Sequence, residues 1–178
     1  ASIGNISAFA DVSLSAAATI DIGNIDLTAN ADVGAATASM GNISADAIAD
    51  AIGNATATVT IDDITLIVDG ATTADASIDN ISAFADGALG YSASANITIG
   101  DITLIADGNT ANASIDNISA LASGSSSATA TAAIDIGNIE LTANAVIGAA
   151  TASMGNISAD AAYSATANIT IDDITLIA

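Results

Sequence analysis

Apolar and polar residues alternate along short runs of this chain. In Ala57-Thr58-Val59-Thr60-Ile61, Ala57, Val59 and Ile61 alternate with Thr58 and Thr60; after the polar pair Asp62-Asp63, Ile64, Leu66 and Val68 resume the alternation. A period of two predicts half-buried β-strands, and small Gly, Asn and Asp between two such runs suit a tight corner. The same strand–corner–strand unit occurs ten times, with corners at residues 3–6, 22–25, 40–43, 61–64, 78–81, 99–102, 115–118, 136–139, 154–157 and 171–174. Each corner reads Ile or Met, Gly or Asp, Asn or Asp, Ile. Short, regular repeats point to a solenoid, in which each unit buries its apolar face on its neighbours.

Two foldings satisfy this pattern. In a β-arc the two strands of a unit belong to different sheets, and stacked arcs build a parallel β-solenoid. In a β-hairpin they pair with each other, giving an antiparallel β-hairpin meander. Hairpin turns favour Gly in second place, whereas Gly comes first here, so the arc is preferred. The predicted fold is all-β: a single repeat domain spanning 1–178 without a separate linker, a parallel β-solenoid of about ten two-strand rungs of 17–21 residues each around an Ala/Ile core. Ten rungs at about 4.8 Å would make a rod of roughly 48 Å. Ala is abundant, but β-branched Ile, Val and Thr at period two oppose a helix.

Asn holds the second corner position at Asn5, Asn24, Asn42, Asn80, Asn117, Asn138 and Asn156, where in-register stacking would form a hydrogen-bonded ladder. A longer period is superimposed. Residues 20–47 and 134–161 differ only at Asp26/Glu140, Asp32/Val146 and Val33/Ile147. The last unit, Asp172-Asp173-Ile174-Thr175-Leu176-Ile177-Ala178, is of the type followed elsewhere by Ala-Ser-Ile, and the chain opens on Ala1-Ser2-Ile3. Neither end reads as a polar cap, so Ile3, Ile6 and Ala8 of one copy are expected to stack on Ile171, Ile174 and Leu176 of another. The absence of an initial Met fits a mature form cut from a leader, or a fragment of something longer.

Composition narrows the chemistry. The chain has no Lys, Arg or His and carries a formal charge of −20. Nothing can neutralise phosphates, which excludes nucleic-acid binding. No apolar run is long enough for a membrane-spanning helix, so membrane insertion is not expected. Ser and Thr are plentiful but lack a His or Lys to activate them, and adjacent strand carboxylates point apart, so no enzyme activity is expected. No cofactor is required. Calcium is the one ion the composition favours, at Asp62, Asp63, Asp79, Asp101, Asp116, Asp172 and Asp173, read as lining one corner. The plainer reading of those carboxylates is a solvated acidic edge that keeps fibres soluble. Outward Thr58, Thr60, Thr129 and Thr131 admit an ice-binding face, although Thr is also an ordinary outer-face strand residue. Phe9, Phe84, Tyr91 and Tyr163 are too few for a stacking platform and are available for lateral packing between rods.

Two families show a similar unit. Asp107-Gly108-Asn109-Thr110-Ala111-Asn112-Ala113 resembles the repeats of curli-like functional amyloid. Gly23-Asn24-Ile25-Asp26-Leu27-Thr28-Ala29 and Gly137-Asn138-Ile139-Glu140-Leu141-Thr142-Ala143 are similar to repeats of filamentous-haemagglutinin-type adhesins. Both resemblances imply an extracellular or cell-surface, secreted protein with a mechanical or matrix role. The expected function is therefore structural: a subunit that polymerises head to tail with itself into a surface or biofilm-matrix filament, with lateral bundling open to the rods. The alternative is a stalk segment of a large surface adhesin, or an ice-binding β-solenoid.

Overall fold

A computed structural model describes residues 1–124 and 128–178. Among them every element is a β-strand and every strand pair is parallel, so the solenoid holds and the antiparallel meander does not. Three sheets form. Ile6–Val12, Ile43–Ala49, Ile81–Asp86, Ile118–Ser123 and Ile157–Ala162 stack as a first short sheet. Ala16–Ile22, Ala55–Ile61, Ala93–Ile99, Thr129–Ile136 and Ser164–Ile171 stack as a second. A long sheet is built on the uninterrupted strands Ile64–Ile78 and Ile102–Ile115. Ile25–Ala31 and Ala35–Met40 pair with the first of these, Ile139–Ala145 and Ala150–Met154 with the second. Ser2–Ile3 lies at one margin of this sheet and Ile174–Ile177 at the other.

The register shows how the repeats are used. Ile3 pairs with Met40 and Met40 with Ile78, while Ile22 pairs with Ile61. Alternate units therefore stack, and each strand–corner–strand unit is half a turn. Ten units make about five turns, as the five-stranded short sheets show. The stack is about 24 Å high at the strand spacing, half the height expected from piling all ten units singly. The near-identical segments 20–47 and 134–161 lie three turns apart.

Side-chain size shapes the cross-section. Within one turn the buried series runs Ala55, Ala57, Val59, Ile61, across the corner to Ile64, Leu66, Val68, then Ala74, Ala76, Ile78, and across the second corner to Ile81, Ala83, Ala85. The bulk is greatest beside the Gly/Asx corners and least midway between them. The two short sheets approach within 8 Å between Cα atoms, closer than the usual ~10 Å between packed sheets. Facing alanines permit that approach. Fifteen straight residues of Ile64–Ile78 would span about 50 Å, too far to join corners whose short sheets lie face to face. The long sheet is therefore creased at its middle, where Gly70 sits so close to the carbonyl oxygen of Thr73 that a Cβ would collide with it. Strands Ile25–Ala31 and Ala35–Met40, on either side of the crease in the first turn, also approach within 8 Å. Each turn is thus a flattened loop with two wide corners and two narrow ends. One continuous core of Ala, Ile, Leu, Val and Met runs through the stack, and no polar side chain is buried among the described residues. Among those residues, no helix is long and apolar enough to cross a membrane.

Candidate assembly faces and corner ridges

Stacking alternate units gives each wide corner its own ridge. The first carries Asn5, Asn42, Asn80, Asn117 and Asn156 in five successive turns. The Oδ1 of each of the first four takes a hydrogen bond from the next turn. Asn42 N donates to Asn5 Oδ1 (2.9 Å), and Asn80 N and Nδ2 donate to Asn42 Oδ1 (both 3.1 Å). Asn117 Nδ2 donates to Asn80 Oδ1 (2.9 Å) and Asn156 N to Asn117 Oδ1 (3.1 Å). The ladder read from the sequence exists for these five. Flanking it are two columns that sequence reasoning missed: Ser2, Ser39, Ser77, Ser114, Ser153 and Ser7, Ser44, Ser82, Ser119, Ser158. The signal was present, since every Asn on this ridge opens an Asn-Ile-Ser triplet.

Asn24 and Asn138 belong to the other corner, in the column Asn24, Asp63, Asp101, Asn138, Asp173. Asp101 N donates to Asp63 Oδ1 (2.8 Å). Asn138 N and Nδ2 donate to Asp101 Oδ1 (2.7 and 3.1 Å). The seven aspartates expected to line one corner are divided: Asp62, Asp63, Asp101, Asp172 and Asp173 stand on this ridge, Asp79 and Asp116 on the amide ridge. The division follows from two units per turn. Among the described residues no group of three or more acidic, His or Cys side chains is placed to hold a metal ion. A shallow groove beside the acidic ridge, lined by Asp101, Thr103, Asn138, Glu140, Asp173 and Thr175, opens to solvent.

Carboxylates are dispersed along this ridge. Where the corner is Gly-Asn its flanks are acidic, with Asp21 and Asp26 in the first turn and Asp135 and Glu140 in the fourth. Where the corner is Asp-Asp its flanks are Thr, with Thr60 and Thr65 in the second turn and Thr170 and Thr175 in the fifth. Two like charges about 4.8 Å apart repel by roughly 0.9 kcal/mol even in bulk water, so the arrangement limits directly stacked pairs.

The expected assembly residues lie on the two end faces. Ile3, Ile6 and Ala8 are half-buried in the first turn, resting on Met40, Ile43 and Ala45. Ile171 is half-buried on Ile136, and Ile174 and Leu176 lie on Ile139 and Leu141. Ile174 and Leu176 are 46% and 45% exposed, whereas Ile139 and Leu141 one turn inward are 1% and 0% exposed. Ile169, on buried Ile134, extends the same open face, whereas Ile177 follows Ile67, Ile105 and Thr142 on the outer surface of the long sheet. The faces differ: Ala16, Ala18, Ile20 and Ile25 of the first turn are already buried, so the open apolar surface is concentrated at the last turn.

The outward Thr positions do not form all-Thr columns. The column through Thr58 reads Thr19, Thr58, Asn96, Ala133, Asn168; that through Thr60 reads Asp21, Thr60, Thr98, Asp135, Thr170. No protein-family model, no curated protein and no solved structure matches this chain, so its own geometry is what bears on its function.

Proposed function

We propose that this chain is a structural protein, the subunit of an extracellular filament that grows by stacking one copy's last turn on the next copy's first. The observation that carries the reading is the open last turn, where Ile169, Ile174 and Leu176 repeat the inward pattern of the core without a covering turn. The first turn offers a matching template. Because alternate units stack, Ile6 belongs to the column of Ile157 and not to that of Ile174, which corrects the pairing expected from the sequence. In continuous register Ile25 of the incoming copy would sit on Ile174, Leu27 on Leu176, Ile6 on Ile157, and the Asn5 N–H would reach Asn156 Oδ1. Burying a large aliphatic side chain contributes about 1.5–3 kcal/mol, and the unpaired strand edges supply backbone donors and acceptors to the joint. The charge of −20 on each copy opposes assembly, so growth should be favoured by salt.

Electron microscopy and fibre diffraction of the purified chain test this. Unbranched fibres with an axial repeat of about 4.8 Å, abolished by Ile174→Asp with Leu176→Asp, are the expected result. Monodisperse particles about 24 Å high, persisting at high concentration and high salt, would overturn it in favour of a stalk segment.

A further inference from the structure

The outer face of the first short sheet is neither uniformly polar nor uniformly apolar. Beyond its Ser column, one outward column reads Phe9, Asp46, Phe84, Leu121, Asp160, and the next reads Asp11, Ile48, Asp86, Ser123, Ala162. In the first three turns apolar and acidic residues form a checkerboard: Phe9 beside Asp11, Asp46 beside Ile48, Phe84 beside Asp86. Phe9 is 67% and Leu121 42% exposed. The narrow end that this sheet leads into adds exposed Leu14, Ile52, Leu89, Tyr91 and Tyr163. Both Phe and both Tyr, the only aromatic residues of the chain, thus lie on this sheet or on the bends that leave it. Aromatic and large aliphatic side chains gathered on an exposed face mark an interaction surface.

The checkerboard decides what can cover it. A second copy would bring only Asp, Glu and neutral side chains, because the chain has no Lys, Arg or His and its sole cation, the Ala1 amine, is hydrogen-bonded to the Thr37 carbonyl (2.8 Å). Face-to-face packing of two copies would desolvate Asp11, Asp46 and Asp86 with no cation to pair them, which is strongly unfavourable. A partner with Lys or Arg set between apolar side chains pairs each carboxylate while covering Phe9, Ile48, Phe84 and Leu121. We infer that the outer face of the first short sheet docks a basic amphiphilic protein surface. This surface is separate from the end faces of the stack, so it does not depend on filament growth.

The absence of Trp from the chain makes a peptide probe easy to read. One synthetic peptide alternates Lys with Leu and carries a single Trp; its control replaces each Leu by Ser at equal charge. Titration of each with the chain, followed by Trp emission and anisotropy, should give a Kd at least tenfold lower for the Leu peptide. Phe84→Ser with Leu121→Ser should close that gap, and both side chains point outward, so circular dichroism should report an intact fold. Asp172→Asn with Asp173→Asn, on the acidic ridge, should preserve the gap. Equal Kd values for the two peptides would overturn the inference, leaving charge attraction alone. So would a gap that survives Phe84→Ser with Leu121→Ser. Self-association of the wild-type chain that this same double variant abolishes would identify the occupant as a second copy and also overturn it.

Discussion

The two wide corners share one backbone plan, Ile-x-Asx-Ile, yet they differ in what stacks on them. On the amide ridge the second position is Asn in every turn and the flanks are Ser throughout. On the acidic ridge it varies between Asn and Asp, and the flanks are acidic beside Asn and Thr beside Asp. The reason lies in donors and acceptors. A carboxamide carries both, so it can accept from the turn on one side and donate to the turn on the other, as Asn80 does between Asn42 and Asn117. A carboxylate only accepts. Asp63 can hold the Asp101 N–H but has no side-chain donor with which to continue the column. The amide ridge is a self-propagating ladder; the acidic ridge trades part of that continuity for charge, and like charge on every copy opposes their association.

The largest expected effect comes from placing a methyl group at a corner where turns are in close contact. Gly100 lies over Asp62, and a Cβ there would collide with the Asp62 carbonyl oxygen, whereas a Cβ on Gly23 in the same column would meet nothing closer than an Asp62 carboxylate oxygen at 3.9 Å. Gly100→Ala should cost about 2 kcal/mol, because backbone rather than a flexible side chain must yield. Gly23→Ala should stay within about 0.5 kcal/mol. Urea midpoints of the two variants measure the contrast, and equal midpoints would mean that neighbouring turns separate freely at this ridge. Next in size, Asn80→Asp imports the acidic ridge's chemistry into the amide ladder. It removes the donor to Asn42 and sets a third carboxylate beside the stacked pair Asp79 and Asp116. A loss of about 1–1.5 kcal/mol is expected from the missing hydrogen bond and the added repulsion. An unchanged midpoint would show that water replaces the ladder bond at no cost.

Period two and the recurring corner made the strands, the corners and the Ala/Ile core legible, since inward positions such as Ala57, Val59 and Ile61 face the same way in any β-solenoid. The five-membered Asn ladder was legible for the same reason. The pairing of two units into one turn was not read, because the local pattern around Ile22 is the same as that around Ile3, and both satisfy one arc. What separates them lies outside the corner: Ser precedes every first-ridge Ile or Met, and Gly70 creases one kind of connection while longer bends such as 50–54 close the other. Two units per turn, in turn, divide the seven aspartates between ridges. The checkerboard on the first short sheet was hidden until the register placed Asp46 between Phe9 and Phe84, residues 37 and 38 positions away in sequence.

A smaller effect than that of Asn80→Asp is the most diagnostic of why the ridges differ. Asp63→Asn converts one acidic-ridge residue to the amide type and should stabilise the chain by about 1 kcal/mol through two separable contributions. One is relief of repulsion from Asp101 in the adjacent turn and from Asp62 beside it, roughly 0.9 kcal/mol per stacked pair in bulk water. The other is a new donor that can reach Asn24 Oδ1, as the Asn138 amide reaches Asp101. Salt distinguishes them. The screening length falls from about 10 Å at 0.1 M to about 3 Å at 1 M, so the electrostatic part of the gain should fade while the hydrogen-bonded part persists. Unfolding midpoints of Asp63→Asn and wild type at both salt concentrations should therefore converge without meeting. If they meet, the carboxylate's charge alone separates the two ridges and the amide donor adds nothing. If they already coincide at low salt, solvent screens the acidic ridge fully, and its Asn/Asp alternation carries no energetic meaning.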